Sequence, residues 1–388
     1  MSRVYLDHLG IINALGAGAA AVRQGLAAGS TAGMRRREDL IAGRAVHAGT
    51  VSSELPVIDP ALAAYDSRNN RLLEAALTQI RPAVDAALSR HGAARVGLVI
   101  GTSTSGIAEG ERALAEIDRR GHFHAGYDYR QQEISSPSEY LRRRLELQGP
   151  CFTVSTACTS SAKAFSSARR LLRQGLCDVV IVGGVDSLCR LTLNGFGALE
   201  SLSAGLCNPS SKNRDGINIG ESAALFLMSR ESGPVALLGI GESSDAYHIS
   251  GPDPEGRGAE LAMRQALAEA DVTQVDYLNL HGTATVQNDL MENAVVARVL
   301  GDVLCSSTKP LVGHTLGAAG ATEAAFCWML LTDPRTAVLP PHIWDGIADP
   351  ALPHLNLCAV GYARKPCTVV ASNSFAFGGN NACLVLGN

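Results

Sequence analysis

Apolar positions recur at helical spacing over 68–91, 159–174, 257–270, 289–300 and 317–331, which predicts helices there. Pro82 falls inside the first, and its missing N–H predicts a bend. Between these stretches lie short β-branched runs bounded by glycine or polar residues. They cover 95–101 (RVGLVIG), 151–155 (CFTVS), 178–184 (DVVIVGG), 223–229 (AALFLMS), 235–243 (VALLGIGES), 275–282 (VDYLNLHG) and 368–373 (TVVASN). Runs of this kind predict strands buried on both faces. Helices and strands alternate throughout, so the class is α/β with largely parallel sheets.

The pattern also echoes itself. RVGLVIGTST and VDYLNLHGTAT both end in Gly-Thr-x-Thr, at 101–104 and 282–285. In each half a second strand then runs into a helix of small residues, VSTACTSSAKAFSSA first and LCSSTKPLVGHTLGAAGATEAA later. A third strand follows in each, VVIVGGVDS and VVASNSFAFGG. Three matched events in the same order point to two similar halves. The best cut lies near ESGP, giving segments 1–233 and 234–388.

With 388 residues, 46% hydrophobic and 18% charged, the chain has enough material for a large packed core. A net charge of −4 argues against general nucleic-acid binding. No apolar run reaches the roughly 18 residues of a transmembrane segment, and the N-terminal stretch turns polar too early for a secretory signal. A cytoplasmic location is therefore expected. The ten cysteines form no CxxC and no zinc-ligand spacing with histidine, so no metal is expected, and most read as small reduced core residues.

One cysteine stands apart. In VSTACTSSAKAF (154–165), Cys158 lies between a strand and a helix of small residues. It is either another core cysteine or a nucleophile at a helix N-terminus, where the dipole and free N–H groups lower a thiol pKa from its usual value of about 8.5. His281 (NLHGTATVQND) and His314 (STKPLVGHTLGAAGATE) occupy the same kind of place, the C-terminal edge of a strand. In α/β sheets active sites gather at that edge. Lys309 and Glu323 flank His314, as a structural ion pair or as part of a site. NSFAFGGNNA (373–382) pairs Gly378 and Gly379 with Phe375 and Phe377, either as a plain turn between two final strands or as the lining of a pocket.

In this order and spacing the segments resemble the β-ketoacyl-acyl carrier protein synthases, more narrowly the elongating condensing enzymes of type II fatty acid and polyketide systems. TACTSS is similar to the nucleophile segment, HGTAT and GHTLGAAGATE to the two histidine segments, and NSFAFGG to the C-terminal glycine loop. GFGALESLS (195–203), NRDGINIGE (213–221) and SSDAYHISGP (243–252) are similar to the intervening blocks, so the likeness spans nearly the whole chain. The resemblance implies a thiolase fold, two similar βα halves packed as α-β-α-β-α layers, in a homodimer or a heterodimer with a related subunit.

It also implies a decarboxylative condensation. Cys158 would accept an acyl group from a carrier protein, and His281 and His314 would bind the malonyl thioester and promote loss of CO₂. Lys309 and Glu323 match positions that order the site, and Thr283 and Thr285 match positions that bond the pantetheine arm. Phe377 matches a gate whose backbone N–H forms the oxyanion hole with that of Cys158; Phe375, Gly378 and Gly379 belong to the same gate. No metal or redox cofactor is implied, since the substrates ride on the 4'-phosphopantetheine of acyl carrier protein. For the acidic carrier protein a basic patch is expected at the tunnel mouth. Arg68 and Arg71 match a docking position, Arg119 and Arg120 are a second candidate, and Arg35, Arg36 and Arg37 read as a solvated loop.

The sequence departs from the family at Asn288, where a glycine is usual, and at Ala376 and Asn380, which replace a glycine and a threonine of the gate loop. Glu200 stands where relatives often place arginine. These departures suggest a secondary-metabolite synthase of the aryl polyene type. Two other readings stay open: a non-catalytic chain-length-factor-like subunit, and a thiolase-like or malonyl-decarboxylating relative. Retention of one Cys and two His favours the active elongating enzyme.

Overall fold

The computed structural model describes residues 3–333, 338–363 and 366–388. Its centre is a twelve-stranded sheet. From one edge the strands run Asn356–Leu357, Leu304–Ser306, Tyr277–Asn279, Val369–Ala376, Asn380–Gly387 and Val235–Ser244, then Val4–Asn13, Ser222–Ser229, Val179–Asp186, Val96–Gly101 and Cys151–Val154. A short strand, Gly16–Ala17, adds to Val4–Asn13. The seam is Val4–Leu6 against Val235–Leu237.

The echo in the sequence is an echo in topology. Leaving aside the two-residue strands Gly16–Ala17 and Asn356–Leu357, each half places, outward from the seam, its first strand in chain order, then its fifth, fourth, second and third. The expected parallel pairing holds only for the outer strands, three in the first half and four in the second. The inner strands pair antiparallel. In the second half the fourth strand turns directly into the fifth through residues 377–379, and a chain that reverses so tightly has to run antiparallel.

Side-chain alternation builds the layers. Val99, Val180, Val182 and Phe226 face an inner core with Phe165 and Phe326, while Leu98, Ile100, Ile181 and Leu225 face outward onto Leu72, Leu73 and Leu77. Two helices occupy the middle layer, Ser160–Arg173 and Ala319–Thr332. The second is apolar on nearly all sides, as a helix covered on all sides should be. They approach closely enough that a Cβ on Gly320 would sit 2.6 Å from the Ala162 nitrogen. Helix Arg68–His91 covers the first half outside, and Arg257–Ala270 with Val286–Leu300 covers the second. The chain is thus the expected α-β-α-β-α sandwich of similar halves.

The helix Arg68–His91 contains Pro82 and is capped by Ser67, whose hydroxyl accepts from the Asn70 N–H. One local expectation needs correction. Arg35, Arg36 and Arg37 lie on the strand Met34–Ile41, not in a loop, and the hairpin partner Arg44–Gly49 fixes them. No helix among the described residues is long and apolar enough to cross a membrane.

Candidate active site

The middle-layer helices bring the two halves' strand ends together. Cys158 sits two residues before the helix Ser160–Arg173 and is 7% exposed. Ala157 precedes it at φ 51, a left-handed conformation that a residue with a Cβ rarely adopts. The other two loops at the site repeat the feature, with Ala284 at φ 64 and Leu316 at φ 51. Strain gathered on three loops that meet at one point marks a site the surrounding structure holds in place.

The Sγ of Cys158 lies 2.9 Å from His314 Nε2. The His281 and His314 rings stand edge to face at 5.2 Å, and Phe375 closes against His281 at 5.9 Å. One ligand atom from each of Cys158, His281 and His314 falls within 4.8 Å of the others, so these three could also offer a soft cation a Cys-His-His set. Among the described residues neither imidazole Nδ1 has a hydrogen-bond partner, so none of them fixes the tautomer through that atom.

Burial dominates the electrostatics. It pushes both imidazoles well below their usual pKa, helped by the charge of Lys309, so both are neutral near pH 7. It pushes the Cys158 thiol up to about 12, with Lys309 pulling the other way. The lowered thiol expected from a helix N-terminus is therefore not what the site shows: desolvation outweighs the favourable charge. Lys309 Nζ meets Glu323 Oε1 at 2.7 Å, and both are buried. Burial raises the Glu323 carboxyl to about 7 against the pull of Lys309.

A cleft of about 650 Å³ reaches this cluster, lined by Cys158, His281, His314, Thr283, Thr285 and Phe375 among others. The Thr283 and Thr285 hydroxyls are 3.0 Å apart and face it. Phe377 stands at the mouth, 37% exposed, its ring 5.4 Å from Phe196. Gly378 at φ 77 and Gly379 at φ 71 make the turn that carries it. NSFAFGGNNA is thus both a turn between final strands and a wall of the cleft.

Several supporting residues were not legible as such. Asp186 accepts from the backbone and hydroxyls of Ser103 and Thr104, from Thr102 Oγ1 at 2.5 Å, and from Gly317 N–H at 2.5 Å, tying the first half's Gly-Thr-Ser-Thr loop to the His314 segment. Glu292 accepts from the His281 and Gly282 N–H groups at 2.8 and 2.7 Å. Asn288 donates to both Asp289 and Glu292, so its side chain knits a carboxylate network that a glycine could not. His342 accepts from Ser307 N–H on Nδ1 and meets the Pro209 carbonyl on Nε2 at 2.8 Å. An aspartate ending the VVIVGGVDS strand was the available signal for Asp186; nothing local marks His342.

A groove beside the cleft, sharing Thr285, Gln287 and Phe377 with it, is also lined by Glu200, Asp215, Leu199 and Val286, and no lysine or arginine is among the described residues lining it. Arg68 lies in a separate groove with Arg71 and chelates buried Glu221 at 2.5 and 2.8 Å; Arg71 chelates Asp66 at 2.6 and 2.7 Å. Arg119 and Arg120 both pair with Glu116. None of the ten cysteines is joined in a disulfide; Cys151 is partly exposed and the others are buried.

The duplicated sheet thus brings a thiol just past the strand Cys151–Val154 against two imidazoles of the other half, His281 just past Tyr277–Asn279 and His314 after the short helix Lys309–Val312. Residues 42–233 match the model of the beta-ketoacyl synthase N-terminal domain, and 235–343 that of its C-terminal domain. The chain belongs to the β-ketoacyl synthase family. It is 37% identical over 266 residues to 3-oxoacyl-[acyl-carrier-protein] synthase 2 of Rhizobium meliloti, covering 63% of this chain and 62% of that one. The like-named enzyme of Vibrio cholerae is 32% identical over 77% of each chain. Among solved structures, a chain of the ketosynthase (ApeO) in complex with its chain length factor (ApeC) from Xenorhabdus doucetiae is 46% identical. It superposes with a TM-score of 0.95 over 100% of this chain and 98% of that one. A chain of the ishigamide ketosynthase/chain length factor gives 0.88 at 25% identity, over 100% and 99%.

Proposed function

We propose that this chain catalyses decarboxylative condensation of an acyl group with malonyl-acyl carrier protein, giving a 3-oxoacyl-acyl carrier protein and CO₂. The observation that carries the reading is the Cys158–His314 contact inside a cleft shared with His281. The Cys158 sulfur attacks the acyl thioester carbonyl, its proton passing to the departing pantetheine thiolate by way of His314. The acyl group stays on sulfur. The Cys158 and Phe377 backbone N–H groups hold the tetrahedral oxygen, a contribution of about 3 kcal/mol per donor.

Malonyl thioester then enters along Thr283 and Thr285. Its C–C bond to the carboxylate breaks, CO₂ leaves, and the electron pair delocalises onto the thioester oxygen. Neutral imidazoles suit this step, since each can donate an N–H to that oxygen. The enolate carbon attacks the acyl-Cys158 carbonyl, and the Cys158 thiolate leaves and is reprotonated. Lys309 orders the site, held by Glu323, and its charge favours both the thiolate and the neutral histidines.

The substrates would arrive on the 4'-phosphopantetheine of acyl carrier protein in the cytoplasm. The two segments 1–233 and 234–388 would carry the nucleophile and the histidines respectively. A dimer is expected, homomeric or with a related subunit; the complex of ApeO with its chain length factor supports the second arrangement. The likeness to that ketosynthase, with the departures at Asn288, Ala376 and Asn380, supports a secondary-metabolite pathway of the aryl polyene type. Incubating the chain, alone and with a candidate partner subunit, with acyl- and malonyl-carrier proteins tests the reading. Intact-mass analysis of the carrier protein should show the 3-oxoacyl product. A product formed equally well by Cys158→Ala in the complex would assign this chain to the tunnel-shaping role instead.

A further inference from the structure

The gate hairpin is tied down on several sides. Gly378 N–H donates to the Ile249 carbonyl at 2.7 Å, and Asp245 N–H donates to the Gly379 carbonyl at 2.8 Å. The Phe377 ring rests on Phe196. A fourth tie differs in kind. Lys163, in the first turn and a half of the nucleophile helix and five residues after Cys158, donates from Nζ to Asn380 Oδ1 at 2.7 Å. Lys163 is only partly exposed, and Glu242 and Arg170 are the charges acting on it. Glu242 is already engaged by Ser166 Oγ and Arg170. Among the described residues Lys163 pairs with no carboxylate and gives its hydrogen bond to the gate.

Asn380 is well placed to transmit that hold. It pairs with Ala376 across the hairpin and with Ser244 on the other side. Its Nδ2 lies against Gly378, 3.4 Å from where a Cβ on that glycine would be. The amide therefore spans from the ammonium to the glycine that lets the loop turn. Asn380 and Ala376 are the two positions where this loop departs from the family pattern, and a threonine at 380 has neither the reach nor the amide to bridge both groups.

We propose that Lys163, acting through Asn380, is a positioning residue that latches the gate loop closed over the nucleophile. The inference rests on reading the Phe377 loop as the gate. Charge-assisted hydrogen bonds are about twice as strong as neutral ones, so loss of this one should shift the open-to-closed ratio by about tenfold. The leading charges on the Cys158 thiol are Lys309, Asp186 and Glu323, so removal of Lys163 should act mainly through access to the sulfur.

The test is the alkylation rate of Cys158, followed by peptide mass, with small iodoacetamide and with a bulky maleimide. Lys163→Met and Asn380→Thr should each speed the bulky reagent by about tenfold and the small one by less, and the double variant should be no faster than either single one. Lys163→Arg should restore part of the protection. Phe377→Ala is the control for the gate itself. If it accelerates the bulky reagent while Lys163→Met and Asn380→Thr do not, or if their effects multiply, the latch is wrong. If Phe377→Ala leaves the bulky reagent unchanged, the gate reading fails and the latch with it. Thermal melting of each variant separates a local change from a loosened fold, in which case the small reagent would accelerate equally and the latch would again be refuted.

Discussion

His314 Nε2 rests 2.9 Å from Cys158 Sγ although 156 residues separate them along the chain. Burial holds the imidazole neutral and raises the thiol, so the contact joins two uncharged partners and not a preformed ion pair. The nucleophile is made at the moment of attack, with Lys309 the leading charge that favours its anion.

The raised thiol has a direct signature. A thiol pushed up to about 12 should be alkylated by iodoacetamide at a rate rising about tenfold per pH unit from pH 7 to 9, without a plateau. Lys309→Met should slow the reaction at every pH in that window. A plateau near pH 7 would mean a stabilised thiolate at rest.

The two imidazoles should separate the half-reactions. His281→Ala should retain acyl transfer to Cys158 yet lose malonyl decarboxylation by about 10²–10³-fold, the usual effect of removing one preorganised donor. His314→Ala should impair both steps, because it touches the sulfur as well. Released CO₂ and the acyl-enzyme mass report the two steps independently.

Much of this was legible in the chain. The strands at 96–101, 179–186 and 235–244 and the helix 68–91 follow from periodicity, and the repeated Gly-Thr-x-Thr events follow the duplicated topology. Cys158 and His281 were marked by their places at strand ends; His314 was expected there too, but the short helix Lys309–Val312 separates it from the strand Leu304–Ser306. What was hidden depends on three dimensions. The antiparallel inner strands follow from how the fifth strand of each half returns. Asp186 and Glu292 matter because of whose N–H groups they meet. Arg68 reads as a surface cation in sequence, and its partner Glu221 is 153 residues away. Desolvation of Cys158 is likewise a property of the packed halves, invisible in a local helix-terminus argument.

The buried histidines make stability pH-dependent. The folded pKa of His342 is lowered to about 4 by burial, and His281 and His314 are also well below their usual value of 6.5. Below that value the unfolded chain takes up protons that the folded chain refuses, so stability is lost as the pH falls. Each histidine contributes about 1.4 kcal/mol per pH unit, and for His342 the loss ends near pH 4. Urea melts between pH 7 and 5 should show the decline, and His342→Asn should make it shallower by one proton's worth.

The arginines should divide by role. Glu221 is fully buried, so Arg68→Ala strands its carboxylate and should destabilise the fold by about 2–3 kcal/mol in urea melts. Arg119→Glu and Arg120→Glu, on exposed side chains, should leave stability within about 0.5 kcal/mol. If that surface docks an acidic carrier protein, the same variants should raise its KM. In the groove beside the cleft, Glu200→Arg should lower KM for a strongly acidic carrier protein, most at low salt.

The most direct measurement is a single-turnover transfer from a labelled acyl-carrier protein, quenched in acid and mapped by peptide mass. The acyl group should be found on the peptide carrying Cys158, and adding malonyl-carrier protein should discharge it as CO₂ appears. Label on another residue, or an acyl-Cys158 that malonyl-carrier protein cannot discharge, would contradict the condensing role.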